Sequence, residues 1–184
     1  MNEQPSLHIR QYLPADLVPV QELFANGLIE FSGEAEREVR GYVENSLKDD
    51  MADIPAHYLS QERGNFWVAE SVGTSVGTMV GKGEIVGIVG IQQMDAVDDA
   101  ELRRMSVSSS ARRQGIGRRL LETTEEFCRE KGYHRICLST VDLLAPALEM
   151  YRKYGYTTVK EEPLGEPPHR SIIVHYLVKE LAQK

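Results

Sequence analysis

The spacing of hydrophobic residues along the chain predicts four helices. Apolar residues recur every three to four positions over residues 17–31 and again over residues 116–128, which is the period of a helix with one buried face. A more polar segment near residues 34–48 is predicted to form another helix, and LLAPALEMYRKYG the last. The helix that starts near Gly115 has one apolar face, formed by Ile116, Leu120, Leu121, Thr124, Phe127 and Cys128.

Short runs of β-branched and aromatic residues predict seven strands between these helices. The runs are SLHIRQYL, NFWVAES, EIVGIVGIQQM, ELRRMSV, HRICLSTV, YTTVKEE and SIIVHYLVKEL. Because only the acidic turn DAVDDA separates the third run from the fourth, these two are expected to form an antiparallel hairpin. The predicted order, β-α-α-β-β-β-α-β-α-β-β, indicates an α/β protein with a mixed sheet and helices on both faces. Residues 1–184 are expected to form a single domain.

Composition and charge narrow the possible functions. The 184 residues carry a formal net charge of −7, which argues against general affinity for nucleic acid or for anionic membranes. No run reaches the ~18 apolar residues of a membrane-spanning helix, and the N-terminus does not resemble a secretory signal. The two cysteines, Cys128 and Cys137, lack metal-ligand spacing and are interpreted as buried thiols in a reducing compartment. We therefore expect a cytoplasmic protein without a bound metal.

Against this acidic background, the stretch ARRQGIGRR at residues 111–119 is strongly basic. Six of the 21 Lys and Arg residues fall between Arg103 and Arg119. The stretch lies between a predicted strand and a predicted helix, whose first N–H groups bind anions, and its glycines would let a phosphate approach the backbone. A dinucleotide fingerprint fails because residue 120 is leucine. The alternative interpretation is a solvated basic helix start.

A second glycine-rich stretch, VGTSVGTMVGKG, has the composition of another phosphate-binding loop. It lies between two predicted strands, and no Gly-Lys-Ser/Thr sequence closes it. The interpretation as a flexible hairpin connection is therefore favoured.

Two motifs resemble those of the GCN5-related N-acetyltransferases. VSSSARRQGIGRRLLE is similar to the family's Arg-x-x-Gly-x-Gly motif, and LEMYRKYGY is similar to its later Leu-Tyr-x-x-x-Gly-Phe motif, with Met150 and Tyr156 in place of Leu and Phe. DDMADIPAHYL, FWVAES and GIVGI further resemble the camello-type branch. That branch carries a hydrophobic membrane segment where this chain has the charged EAEREVRGYVENSLK. The resemblance implies a mostly antiparallel mixed sheet of six to seven strands, with helices on both faces.

The resemblance also implies acetyl-CoA as cosubstrate and assigns the residues that bind it. In the family, the strand before the glycine motif separates from its neighbour and pairs with the pantetheine, while the turn binds the pyrophosphate. The residues implied are Met105, Ser106, Val107, Arg112, Arg113, Gln114, Gly115, Ile116, Gly117 and Arg118. A contact that an asparagine commonly makes is expected to be absent, because residue 144 is leucine.

Glu101 and Tyr151 are the candidate catalytic residues. Glu101 lies six residues before Val107, so it is expected to share that residue's face and to act as general base, as a glutamate does in related enzymes. Its alternative role is an exposed carboxylate paired with Arg103 or Lys82. The resemblance makes Tyr151 the general acid near the sulfur, and its alternative role is packing in the core. His57, His169 and His175 remain weaker candidates for the base.

The expected reaction is acetyl transfer to the primary amine of a small molecule, by direct attack in a ternary complex. Arg103 and Arg170 are candidates for binding a carboxylate of the acceptor. A lysine or N-terminal amine of a protein is the alternative acceptor, and a non-catalytic acyl-CoA-binding module is the alternative function. No nucleic acid or membrane is expected as a partner, and a homodimer is left open.

Overall fold

The computed structural model describes residues 6–72, 83–96, 98–164 and 172–182, and they form one seven-stranded sheet with helices on both faces. The strands are β1 (Ser6–Gln11), β2 (Asn65–Val72), β3 (Glu84–Gln93), β4 (Asp99–Val107), β5 (Arg135–Val141), β6 (Thr157–Leu164) and β7 (Ile172–Glu180). The helices are α1 (Leu17–Ile29), α2 (Glu36–Lys48), α3 (Ile116–Glu130) and α4 (Ala145–Lys153). This order is the predicted one, so the predicted fold class is confirmed.

The strands run in the order β1-β2-β3-β4-β5-β7-β6 across the sheet. Every neighbouring pair is antiparallel except β4 and β5, which are parallel. The predicted β3–β4 hairpin is confirmed. The sheet therefore contains a single parallel pair, and it lies at the centre of the strand order.

A hydrophobic core lies on each face of the sheet. On one face, α1, α2 and a π-helical turn at Pro55–Leu59 pack on β2 and β3, burying Val20, Phe24, Val43, Tyr58, Phe66 and Ile88. On the other face, α3 and α4 bury Ile116, Leu120, Leu121, Cys128, Leu148 and Tyr151. Thr124 is also buried, so the predicted face of α3 is confirmed, although Phe127 at its border is only partly buried.

The two cysteines are free but differ in environment. Cys128 is fully buried, which raises the pKa of its thiol to about 12. Cys137 is only half-buried, contrary to the expectation for both thiols. Its side chain points to the same face as its β4 partner Glu101, beside the point where the two strands separate. Among the described residues, no helix is long and apolar enough to cross a membrane.

The hydroxyl of Tyr156 is buried, and no described residue forms a hydrogen bond with it. A phenylalanine would keep the ring contacts and remove the desolvated oxygen. We expect Tyr156→Phe to leave the free energy of unfolding unchanged or to raise it by up to about 1 kcal/mol, measured by urea denaturation.

Tyr133→Phe is the matched control, because the buried Tyr133 donates a hydrogen bond to the carbonyl of Arg63 at 2.8 Å. Its loss should lower the free energy of unfolding by about 1 kcal/mol. A larger loss for Tyr156→Phe than for Tyr133→Phe would show that the Tyr156 hydroxyl has a partner in solution.

Candidate functional site

A gap opens between β4 and β5 at the middle of the sheet. The two strands pair only over three residues, from Asp99 opposite Arg135 to Glu101 opposite Cys137, while β5 continues beside β7 as far as Val141. Beyond Glu101, no described strand lies beside the β5-facing edge of β4. An unpaired strand edge can bind an extended ligand through its backbone groups. Met105, Ser106 and Val107 all lie along this open edge.

A β-bulge interrupts β4 next to the gap. Ile88 of β3 pairs with Ser106, but Gly90 pairs with Arg103, so β4 holds one extra residue there. Arg104, within the bulge, has a φ of 56°, which is uncommon for a residue other than glycine.

The bulge overturns the expectation that Glu101 and Val107 share a face. The extra residue shifts the alternation of side chains, so Glu101 lies on the same face as Ser106, which packs on α1. Val107 lies on the opposite face and packs against the core under α3 and α4. The candidate base therefore faces α1 and α2.

The turn before α3 presents a run of free backbone donors. No described residue accepts a hydrogen bond from the N–H groups of residues 112–118, and the first bonded donor is Arg119, which donates to the carbonyl of Gly115 at 3.0 Å. Arg113 and Gly115 have φ values of 62° and 79°, and such alternation of backbone conformation turns successive N–H groups toward one point. Together with the N-terminus of α3, this geometry suits a pyrophosphate.

The two glycines of the turn have different roles. Gly115 is the N-cap of α3, and its positive φ favours glycine, while apart from its chain neighbours no described residue lies within 4 Å of where a Cβ would be. A Cβ on Gly117 would instead lie 2.9 Å from the sulfur of Met150. The side-chain direction at Gly117 therefore points to α4, and the approach of a phosphate to its backbone stays a prediction. Gly117 allows α4 to pack closely against the start of α3.

The arginines of the turn are not equally available to an anion. Arg112 binds both carboxylate oxygens of Glu30 at 2.7 and 2.8 Å, and it also lies over the ring of Phe31. Arg118 donates to Glu122 at 2.7 Å. Arg113 is exposed and has no ion pair with any described residue. Of these three side chains, Arg113 is the one that could meet a phosphate without giving up a carboxylate partner.

Tyr151 lies on the α3/α4 side of the sheet, in the hydrophobic core. The residue is 5% exposed, and its ring meets Tyr156 edge to face with centroids 5.6 Å apart. No described residue forms a hydrogen bond with its hydroxyl. Burial raises the pKa of this phenol well above its ordinary value, so it remains a proton donor at neutral pH. Met150 contacts Gly117, which places this part of α4 next to the turn.

Glu101 is loosely held at the opening of the gap, with a side chain that is 36% exposed. The Nε atom of Arg103 is 3.9 Å from its carboxylate, which is an ion-pair distance but not a hydrogen bond. Arg103 is itself fixed by Gln92, whose side-chain oxygen accepts from Nη1 at 2.6 Å. Gln92 in turn donates to the carbonyl of His57 at 2.9 Å. Both interpretations of Glu101, base and ion-pair partner, fit this geometry.

The structure gives less support to the other candidates. The ring of His57 is exposed near Asp49, at 4.0 Å, and only its carbonyl joins the cluster around Glu101. His175 lies 2.8 Å from a carboxylate oxygen of Glu161, without the alignment of a hydrogen bond. Lys82, His169, Arg170 and the glycine-rich stretch at residues 73–82 lie outside the described residues.

Sequence reasoning missed one feature of the site, a polar cluster behind β4 whose central ion pair is buried. Arg104, Asp50, Tyr58 and Tyr42 are joined by hydrogen bonds on the α1/α2 face. Asp50 and Arg104 are 54 residues apart in the sequence, so no local sequence pattern connects them. In the described part of the chain, no group of three or more metal-binding side chains is close enough to hold a metal ion.

Comparisons with known proteins agree with this architecture. Residues 34–156 match the profile of the Acetyltransferase (GNAT) family. The fold is similar to a GNAT-family acetyltransferase of Staphylococcus aureus, with a TM-score of 0.72 and 22% identity over 96% of this chain and 100% of that one. It is also similar to the PaiA N-acetyltransferase of Thermoplasma acidophilum in complex with coenzyme A, with a TM-score of 0.71 and 16% identity over 95% and 99%.

Closer sequence similarity is found to vertebrate proteins. The chain is 33% identical to "Probable N-acetyltransferase camello" of Xenopus tropicalis, over 72% of this chain and 57% of that protein. It is 38% identical to N-acetyltransferase 8 of Mus musculus, over 66% and 51%. It is 34% identical to N-acetylaspartate synthetase of Danio rerio, over 67% and 40%. The chain thus spans about half the length of these relatives. With the family profile matching well over half of its residues, the chain belongs to the GNAT acetyltransferase family.

Proposed function

We propose that this chain transfers the acetyl group of acetyl-CoA to the primary amine of a small molecule while both substrates are bound. The observation that carries the proposal is that two binding surfaces follow each other along the chain. The open edge of β4 ends at Val107, and the N–H groups without a described acceptor begin at Arg112. An extended chain with an anionic end fits such a surface. The pantetheine would lie along Met105, Ser106 and Val107, and the pyrophosphate against the backbone of Arg112, Arg113, Gln114, Gly115, Ile116, Gly117 and Arg118.

The two candidate catalytic residues approach the gap from opposite faces of the sheet. Tyr151 lies on the α3/α4 side and Glu101 on the α1/α2 side. Acetyl-CoA supplies an activated acetyl group and a thiol leaving group. In this arrangement Glu101 would take a proton from the amine, directly or through water, while Tyr151 would donate a hydrogen bond where negative charge develops on sulfur.

The surroundings of Glu101 favour an acceptor that carries a carboxylate as well as an amine. Arg103 is beside Glu101, is partly exposed and is held in place by Gln92. A guanidinium in that position could bind a carboxylate while the amine lies near Glu101. The similarity to a protein named N-acetylaspartate synthetase is consistent with this class of acceptor.

Release of CoA with a panel of amines tests the proposal. Amino acids, polyamines, arylalkylamines and peptides would be compared at equal concentration, and acetyl-CoA binding would be measured by calorimetry. We expect turnover with amino acids above the rate without acceptor. Turnover with peptides alone would favour a protein acceptor, and binding without turnover would favour a non-catalytic module.

The proposed role of the turn also predicts how the charge of Arg113 affects acetyl-CoA affinity. Replacing this exposed arginine by glutamate changes the charge beside the proposed pyrophosphate by two units. We expect Arg113→Glu to weaken acetyl-CoA binding by roughly 10-fold at low salt, with a smaller loss at high salt. Arg37→Glu, at an exposed position on α2, makes the same change in total charge and should leave the dissociation constant unchanged. Equal dissociation constants for the two variants would show that the pyrophosphate does not bind beside Arg113.

A further inference from the structure

A strained residue is placed within the strand that borders the gap. Two residues other than glycine have positive φ among those described, Arg113 in the turn and Arg104 inside β4. A left-handed backbone is unfavourable for arginine, and such conformations persist only where the surroundings enforce them. The contacts of the Arg104 side chain therefore bear on how this conformation is maintained.

The Arg104 guanidinium is held by groups from three other segments. Its Nε and Nη2 atoms donate to the two carboxylate oxygens of Asp50 at 2.8 and 2.5 Å, and Nη1 donates to the hydroxyl of Tyr42 at 2.6 Å. It also lies over the rings of Phe24 and Tyr42, 5.0 and 5.5 Å from their centroids. The side chains of Arg104 and Asp50 are 5% and 1% exposed. This is a fully engaged guanidinium that could not also bind a substrate.

Asp50 is fixed as firmly as its partner. The hydroxyl of Tyr58, in the π-helical turn, donates to it. Burial alone would raise the pKa of Asp50, but the hydrogen bonds from Arg104 and Tyr58 outweigh it and hold that pKa below its ordinary value. The carboxylate therefore stays ionised at neutral pH, and the pair persists.

A buried ion pair is seldom the most stable way to fill a core, since well-packed apolar side chains often do as well or better. The ion pair with Asp50 is formed by Arg104, which is the single residue of β4 with a left-handed backbone. We propose that Asp50, with Tyr58 and Tyr42, positions Arg104 so that the β4 bulge is maintained, and that Arg104 is therefore a positioning residue for the site. The proposal builds on the proposed function, because the bulge sets which β4 groups line the open edge.

Loss of the bulge would have a defined consequence. Without the extra residue, the side chains of β4 after Arg103 would exchange faces. Met105 and Val107 would leave the core under α3 and α4, and Ser106 would leave α1. The backbone groups on the open edge would exchange direction with them. Loss of the bulge would therefore change both the open edge and the packing of the core beside it.

Arg104→Ala and Arg104→Gly distinguish positioning from simple stabilisation. Both remove the side chain and leave Asp50 unpaired, but only glycine adopts a positive φ without strain. If the network positions the bulge, Arg104→Gly should keep kcat/KM about 10-fold higher than Arg104→Ala. If the network only stabilises the fold, glycine should be equal to alanine or worse, because glycine weakens strands.

Arg135 provides the matched control. It forms a similar two-point pair with a carboxylate, to Asp99 at 2.7 and 2.8 Å, on a strand position without positive φ. At residue 135 the glycine variant should be less stable than the alanine variant, and the two variants should have the same kcat. The same ranking at both positions would overturn the proposal.

Two further measurements keep the outcome clear. Asp50→Asn keeps the shape of the side chain but weakens the ion pair, and we expect it to lower kcat. If strain at residue 104 causes this loss, the double variant Asp50→Asn/Arg104→Gly should have a higher kcat than Asp50→Asn alone. An equal or lower kcat in the double variant contradicts the proposal. The β3–β4 register in each variant, read from backbone NMR contacts, does not depend on turnover. If the wild-type protein fails to bind acetyl-CoA, the proposed function fails, while a retained bulge in Arg104→Ala would still refute the positioning role.

Discussion

Tyr151→Phe is expected to lower kcat by about 100-fold while leaving acetyl-CoA affinity and Tm almost unchanged. The substitution removes one oxygen and leaves the ring to pack against Tyr156. That oxygen has no hydrogen bond to a described residue, so its loss breaks no contact that holds the fold. A hydrogen bond to sulfur strengthens as negative charge develops there, so the lost interaction should affect kcat more than binding.

Two neighbouring tyrosines serve as controls in the same assay. Tyr154 lies three residues along the chain from Tyr151 and is half-buried, and Tyr156 packs directly on Tyr151. Tyr154→Phe and Tyr156→Phe should both keep the wild-type kcat. If Tyr151→Phe also keeps it, or loses activity only in proportion to a lower Tm, Tyr151 is a core residue and the proton donor lies elsewhere.

The pH dependence of Tyr151 has a definite sign. A phenol normally loses its proton near pH ~10. Burial raises the pKa of Tyr151 above that value, so the donor form persists to higher pH rather than being lost. Ionisation of this residue should therefore cause no fall in kcat between neutral pH and about pH 10.

The sequence predicts the elements well where periodicity is strong and local. All seven strands and all four helices were predicted in order, and the start of α3 was placed within a residue of Ile116. The start of α3 could be predicted because a strand, a glycine pair and an amphipathic helix follow one another within about 20 residues. The open edge of β4 followed from the resemblance, and the strand register agrees with it.

The errors arise where one residue interrupts a period or where the partner is distant. The face of Glu101 was inferred from strict alternation, which the bulge at Arg104 breaks, and Asp50, which holds that residue, comes from another part of the chain. The close approach of Met150 to Gly117 could not be predicted either, because Met150 lies on a different helix. Arg112 is close to the anion site in sequence, yet its partner Glu30 follows directly after α1. Such contacts depend on how helices pack and leave no local signal.

The corrected position of Glu101 changes how its role as a base should be tested. Its carboxylate lies on the α1/α2 face, at the last residue where β4 and β5 are paired. An acceptor entering the gap from that face would meet Glu101 and Arg103 together. Glu101→Gln keeps the length and polarity of the side chain but cannot take a proton, so it separates basicity from shape.

We expect Glu101→Gln to lower kcat/KM by roughly 100-fold near neutral pH. The loss should shrink as the pH approaches the pKa of the acceptor amine, because an increasing fraction of the amine is then already deprotonated. Arg103→Gln is the control: it removes the neighbouring charge but not the base. If Arg103 binds an acceptor carboxylate, this variant should raise KM for the acceptor and leave the shape of the kcat–pH profile unchanged. A Glu101→Gln variant with wild-type rates at every pH would leave Glu101 as an ion-pair partner of Arg103 and assign the proton transfer to a histidine or to water.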